Sequence, residues 1–425
     1  MDAKETMGDR RGLFSWCLYD WANSAFPSVI ITFVFATYFT SSVAADKVTG
    51  TAHWGYAMSL SALAVALVAP VFGAIADNTG RRKPWLATFT FLCVVTSALL
   101  WLIQPDPSFA LMALVLAALA NFTFETGMVF YNAMLPGLAP KSHIGRISGW
   151  GWGLGYFGGL VCLALTLVGL VQPETPWFGL DKDTAEHVRA AAVLVATWYA
   201  VFSIPLFVFT PDQAPKALSF AQATKKGLAE LKATLAQVRD YGDIVKFLIA
   251  RMVYTDGINT LFAFGGIYAA GSFGMELNEI IIFAIGMNVT AGLGAAAFGW
   301  VDDWIGPKKT VMISLVGLTV LGAALLIVET KTLFWVFGMP LGLFVGPAQA
   351  ASRSMMARLA PSHLTTEMFG LYAFSGKATA FIGPALLGVV TTAFDSQRAG
   401  MATILIFFVI GMALLIRVPH SSSRP

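Results

Sequence analysis

Six ionisable residues interrupt apolar stretches of this 425-residue sequence: Asp20, Glu125, Arg251, Asp256, Arg353 and Lys377. Inside a membrane span such a group costs at least about 2.5–3.5 kcal/mol on the insertion scale, so each needs a partner or a task. Three acids and three bases permit complete internal pairing, which is the structural reading. The functional reading is that some of them hold a polar cargo or carry protons. Desolvation favours a neutral carboxyl and a nearby cation favours a charged one, so a carboxyl held between the two can load and release a proton. Asp20 shares a helical face with Asn23 and Pro27, and Glu125 shares one with Asn121 and Asn132. Arg251, Thr255 and Asn259 line one face at i, i+4 and i+8, with Asp256 and Thr260 beside it. Gly257, Gly265 and Gly266 are expected to let that helix bend. Arg353 stands one turn beyond Gln349 near the end of its span, where it is expected to snorkel toward the headgroups.

A second set of charges sits in hairpins. Gly73-Ala-Ile-Ala-Asp77-Asn-Thr-Gly80-Arg81-Arg82 returns as Gly299-Trp-Val-Asp-Asp303-Trp-Ile-Gly306-Pro307-Lys308, with both glycines and the Asp at one offset of 226 residues. A fainter echo repeats Leu138-Ala139-Pro140 and Gly149 as Leu359-Ala360-Pro361 and Gly370, offset by 221. A repeat of slightly more than half the chain implies two homologous helix bundles. The glycines allow tight turns. Each Asp can meet the positive end of a helix dipole or a nearby base. Arg81 and Arg82 are expected to serve Asp77, and Lys308 and Lys309 to serve Asp303. A contact that breaks as the bundles rock would bias a two-state switch.

The elements that must position these residues follow from composition. Hydrophobic residues make up 57% of the chain and charged ones only 12%, with mean hydropathy +0.70. Soluble domains carry about 25% charged residues, so most of this surface faces lipid. Twelve spans of about 20 apolar residues fall near 14–40, 54–76, 84–103, 108–132, 148–170, 189–210, 243–271, 277–300, 310–328, 332–357, 367–394 and 399–416. The fold class is therefore all-α and polytopic, with a terminus at 1–13, a six-helix bundle over 14–210, a linker at 211–242, a second bundle over 243–416 and a tail at 417–425. Nineteen Lys and Arg, from Lys4 and Arg10 to Arg417 and Arg424, fall on the side of the termini, and five fall opposite. The positive-inside rule puts both termini in the cytoplasm of a cell whose inner membrane holds the chain. In the linker, Leu228, Leu231, Leu235 and Val238 recur at helical spacing opposite Lys225, Lys232 and Arg239. That helix lies on the membrane surface or packs on the bundle ends.

Other chemistries find no support. The net charge of +3 is too small to imply nucleic acid. Cys17, Cys93 and Cys162 lie in apolar runs without metal or disulfide spacing, and the five His are scattered among span ends, loops and the tail, where His420 lies. No zinc, nucleophile-elbow or phosphate-loop motif is present, so neither an enzyme nor a bound cofactor is expected. Gly151, Gly155 and Gly159 are read as a close helix contact, and Trp150 and Trp152 as packing.

The hairpin pattern resembles that of the major facilitator superfamily. Within it, Tyr19-Asp-Trp-Ala-Asn-Ser-Ala-Phe26, Phe130-Tyr-Asn-Ala-Met-Leu-Pro136 and Asp256-Gly-Ile-Asn-Thr260 resemble the vacuole effluxer-like family. Asn78 and Trp304 depart from the superfamily pattern, which has a basic residue after the Asp. The resemblance implies transport, with amino-acid export as the attested activity, and places the first, fourth, seventh and tenth spans around a central cavity. There Arg251 or Asn259 would meet a carboxylate, and Asp256 or Asp20 an ammonium. It also places Lys377 just outside the cavity, where a structural pair with an acid is expected ahead of the alternative, a substrate contact. The expected function is a monomeric secondary transporter of a small polar metabolite, an amino acid above others, with protons as the coupling ion. The alternatives are an exporter of lipophilic cations, which would present acids without partner bases, and a transport-inactive receptor.

Overall fold

A computed structural model describes residues 9–236 and 240–419. Lys4, Val238, Arg239, His420 and Arg424 lie outside the described residues. Eleven helices are long and apolar enough to cross a membrane: α1 (Arg10–Val43), α2 (Lys47–Thr79), α3 (Lys83–Leu102), α4 (Pro107–Leu138), α5 (Lys141–Val171), α6 (Glu186–Phe209), α8 (Asn278–Ile305), α9 (Pro307–Ile327), α10 (Lys331–Leu359), α11 (Thr365–Phe394) and α12 (Gln397–Ile416). The remaining one, α7 (Gly242–Phe273), has 32 residues and packs along α12 in the same bundle. Its Arg251, Asp256 and Asn259 lower its hydropathy below that of its neighbours. Twelve long helices thus stand where twelve spans are expected, and the described residues contain no strand.

The expected helix bending falls in other places. α7 runs unbroken, and Gly257 is pressed against Phe407 and Phe408 of α12. α11 is the interrupted helix: its first α-helical segment ends at Lys377 and a second begins at Ile382. α1 changes winding as well, with a π-helical stretch over Phe26–Phe33 that has Pro27 in its first turn. Proline has no N–H to give the regular ladder, so the wider turn there has a local cause.

Close helix approach explains the glycine run. Gly151, Gly155 and Gly159 face Asp20, Ser24 and Ser28 of α1, and a methyl at any of the three would collide. The linker helix (Phe220–Ala236) packs against the end of α2, the second of the two expected placements. Its inner stripe is Ala223, Gly227, Leu231 and Thr234, while Leu228 and Leu235 stay exposed. Gly227 lies against the Ala74–Ile75 backbone, and this approach, not the leucine stripe, decides which face is buried.

Contacts between the first six helices and the last six are made chiefly by α2 with α11 and by α5 with α8, with α10 also touching α5. These crossings lie at the end of the bundle that carries both chain termini. Gly73 and Gly370 allow the first, and Gly149 and Gly299 allow the second.

Candidate functional site

Three tiers of polar contacts join the two sets of helices. The outermost tier is the repeated hairpin. The Asp77 carboxylate accepts backbone N–H bonds from Thr366 (3.0 and 2.8 Å) and Glu367 (2.9 Å), so it caps the N-terminus of α11. Arg82 is buried beside it, with Nη2 3.5 Å from Asp77, Nε donating to Thr366 Oγ1 and Nη1 donating to the Ala133 carbonyl. Arg81 is exposed and forms no ion pair among the described residues. Gly80 turns the chain with φ +85°, a backbone that a side chain would strain.

Asp303 repeats the arrangement on α5. Its oxygens accept the Gly145 and Arg146 backbone N–H groups at 2.8 and 3.2 Å, the Arg146 Nε at 2.7 Å and the Arg358 Nη2 at 3.2 Å. The same Arg358 nitrogen reaches Asp302 Oδ1 at 3.2 Å. Lys308 and Lys309, expected to serve Asp303, do not. Pro307 starts α9 directly after Gly306 (φ +90°), and Lys308 is directed at the C-terminal carbonyls of Ile416 and Val418 on α12. Free carbonyls at a helix end are a ready destination for an ammonium.

The middle tier is the pair of Asp20 and Arg353, 2.9 Å apart and both buried. Arg353 also donates from Nε to Ser148 Oγ (2.9 Å), from Nη2 to the Ser148 carbonyl (2.7 Å) and from Nη1 to Asn132 Oδ1 (3.3 Å). Its guanidinium lies 4.8 Å from the Trp16 ring and 5.6 Å from those of Tyr131 and Trp152. The expected snorkelling does not occur: Arg353 is 1% exposed. A fixed carboxylate, three further acceptor contacts and three aromatic faces draw the side chain inward in place of water. Asn23 Nδ2 lies 3.4 Å from the other Asp20 oxygen.

The innermost tier is Glu125 with Lys377, 2.7 Å apart. Their side chains are 23% and 28% exposed, so a space accessible to solvent reaches them. Lys377 follows the start of α11 by about 18 Å of helix, which sets the pair near mid-depth. Among the described residues, the hydrogen bonds between the first and last six helices lie between this level and the terminus-bearing end. Asn121 stays within the first set and donates to Ser61 of α2.

Complete pairing fails at α7. Arg251 donates from Nη1 to the Tyr372 carbonyl (2.7 Å) and to Ser375 Oγ (2.8 Å), with its guanidinium 3.5 Å from the Tyr372 ring centre. Asp256 is buried and has no cation partner among the described residues. One of its oxygens accepts the Gly383 N–H at 3.1 Å, in the first turn of the second segment of α11, and the other has no partner. Thr255 is half-buried, Asn259 is exposed, and Thr260 bonds the Asp256 carbonyl. Arg146, Arg358, Ser148, Trp16, Tyr131, Trp152 and Tyr372 do work that spacing along one helix could not show. A signal for Arg146 was present, because it follows Gly145 at the 221-residue offset from Thr366 and Glu367.

The MFS-type transporter YxiO of Bacillus subtilis (strain 168), described as uncharacterised, is 27% identical over 414 residues, which cover 96% of this chain and 95% of that protein. Autophagy-related protein 22 of Cryptococcus neoformans var. neoformans serotype D is 26% identical over 301 residues, 66% of this chain and 51% of that protein. Among solved structures, the human organic anion transporter MFSD10 (TETRAN) superposes with TM-score 0.74 at 14% identity, over 96% of this chain and 99% of its own. The E. coli fucose:proton symporter FucP does so with TM-score 0.68 at 14% identity, over 96% and 98%. Both show the major facilitator fold in an integral, multi-pass membrane protein. The family model described as vacuole effluxer Atg22 like matches residues 40–425, and the chain belongs to that family.

Proposed function

We propose that this protein is a secondary active transporter that moves a small polar metabolite, an amino acid above others, by alternating access between its two six-helix halves, 14–210 and 243–416. The observation that carries this reading is the half-buried mid-depth pair Glu125 and Lys377, one charge on each half. An α-amino acid carries the complementary pair, an ammonium for Glu125 and a carboxylate for Lys377. Exchanging one ion pair for two keeps every charge compensated, which is what a site in low dielectric requires. The tiers beyond it close the terminus-bearing end, which the excess of Lys and Arg assigns to the cytoplasm.

Protons are the proposed coupling ion, and Asp256 is their proposed carrier. Asp20 and Glu125 are each held by a cation, whereas Asp256 has none and one of its oxygens is unpartnered. It binds the N-terminus of a broken-helix segment, so charging it and moving α11 are mechanically linked. A lipophilic-cation exporter would present unpaired acids to its cargo, but here the acid that solvent reaches, Glu125, is neutralised by Lys377.

The test is uptake of a labelled amino-acid panel into proteoliposomes, with and without an imposed pH gradient. The expected result is gradient-driven accumulation of a subset. Glu125→Gln is expected to weaken substrate binding by at least about tenfold, the loss of one charge-assisted contact of about 1.5–3 kcal/mol. Asp256→Asn is expected to bind normally and to lose accumulation. No transport of any amino acid by folded protein rejects the substrate, and normal accumulation by Asp256→Asn rejects the carrier.

A further inference from the structure

On the outer wall of the bundle, where the start of α1 meets α5 and α8, lies a groove of about 620 Å³. Leu13, Trp150, Leu154, Phe157 and Ala296 form its walls, and Arg10 stands at its mouth. The exposed ring of Phe14 forms one lip, and Trp150 leans edge-on against the exposed Trp300. The lining is almost wholly apolar, so water gains nothing by entering. Its volume is that of a site for a small organic molecule. On a membrane-facing wall, the apolar matter at hand is a lipid chain.

Charge selects which lipid. Arg10 is the first residue of α1, is exposed, and forms no ion pair among the described residues. Arg11 follows it, and the neighbouring Asp9 carboxylate is engaged with the Arg11 backbone N–H. At the end of a spanning helix this guanidinium stands at headgroup depth. About ten residues of α5, from Ile147 to Phe157, run along the groove, or about 15 Å of helix. That is room for the length of an acyl chain directed inward from the headgroup layer. We propose that this groove is a binding site for one phospholipid with an anionic headgroup, its phosphate held by Arg10 and one acyl chain lodged between α1, α5 and α8. The floor of the site is the α5–α8 crossing itself, where Gly153 meets Gly292 and Ala296. The lipid therefore touches helices of both halves.

Native mass spectrometry of the full chain, released from micelles containing phosphatidylglycerol or phosphatidylcholine, tests this without any assumption about substrate. One tightly held phosphatidylglycerol per chain is expected, favoured over phosphatidylcholine. Arg10→Gln is expected to lower its occupancy about fivefold, the equivalent of about 1 kcal/mol for one basic residue at a lipid surface. Leu154→Trp, which fills the groove, is expected to remove the bound lipid of either kind. Should that variant fail to fold, phosphatidylglycerol with a photoreactive acyl chain decides on the unaltered protein, with labelling expected on the peptide containing residues 147–157. Equal retention of both lipids, insensitivity to Arg10→Gln, labelling spread evenly over the outer helices, or a dimer that shields this face would each overturn the proposal.

Discussion

Asp77 and Asp303 occupy equivalent places in a repeated hairpin, and each caps the first turn of a helix from the other half of the chain. What differs is the source of the cation. Arg82 comes from the same hairpin as Asp77 and is buried with it. Asp303 takes its cations from two other helices, and its partner Arg146 is 29% exposed. At the first crossing the linker also clamps the α2 side, through bonds that do not reach α11, and the second crossing has no such brace among the described residues. Lys216 donates to the Asp77 carbonyl at 2.6 Å, and Asn78 bonds Glu230 of the linker helix. On the proposed cycle both crossings must part for the terminus-bearing end to open. The comparison teaches that two homologous contacts need not part with equal ease: the α2–α11 crossing is dry and clamped, and the α5–α8 crossing is wet at its edge.

The largest effect is expected from neutralising the two acids. Asp77→Asn takes from the buried Arg82 the carboxylate its guanidinium touches and leaves only Asp212, bound to its backbone N–H, to offset the charge, a loss of about 3 kcal/mol. Asp303→Asn leaves two arginines that can turn toward solvent or Asp302, so only the buried N–H groups suffer, about 1–3 kcal/mol. Hydrogen exchange of the amides at 366–370 and at 145–149 reads the two crossings separately. At about 1.4 kcal/mol per decade, Asp77→Asn should speed exchange at its crossing by about 100-fold or more, and Asp303→Asn by about tenfold. Equal acceleration, or the reverse order, would break the distinction.

A middle-sized effect is expected from the glycines at the two crossings. A methyl on Gly73 would run into the Thr366 carbonyl and Glu367 Cα, and one on Gly299 would lie 2.8 Å from Arg146 Cα. Backbone cannot step aside as a side-chain end can, so each Ala substitution should cost about 1–3 kcal/mol of overpacking. Gly73→Ala should cost more, since its methyl would meet all three of its nearest backbone atoms at 2.9 Å or less, against 2.8, 3.1 and 3.4 Å at Gly299. Thermal unfolding of the two variants in the same micelle compares them. A larger shift for Gly299→Ala would mean that the clamped crossing is the more compliant.

The sequence makes these two positions legible because a repeat at constant offset marks both halves of one device. It also contains the device's receiving side. Gly149 and Gly370 recur at the second offset, and each packs against the hairpin helix of the other half. Pairing across the chain is less legible. Helical spacing tells which residues share a face, but not which face they meet. Arg353 looks like a snorkelling residue until Asp20, 333 positions away, is seen beside it. Lys377 is the easier case, because a mid-depth ammonium must find an acid and few are available. Asp256 is harder, since its partner is a backbone N–H at a break in α11: Gly383-Pro384 marks the break in the sequence, but not the side chain that meets it.

The smallest expected effect is the sharpest check on how the halves diverged. In the repeat, Lys308 stands where Arg82 stands, yet it is directed at α12 and leaves Asp303 to Arg146 and Arg358. Lys308→Ala should therefore cost no more than about 1 kcal/mol, the worth of a cation at a helix C-terminus, and should leave exchange at 145–149 unchanged. Arg358→Ala should accelerate that exchange, because it removes the one cation shared by Asp302 and Asp303 and sets two carboxylates side by side. Arg82→Ala, made at the equivalent of Lys308, should affect its own crossing as strongly as Asp77→Asn does. If instead Lys308→Ala opens the α5–α8 crossing, the hairpin lysine serves Asp303 after all in some stage of the cycle. The two halves would then work by one charge relay, where the geometry assigns them two.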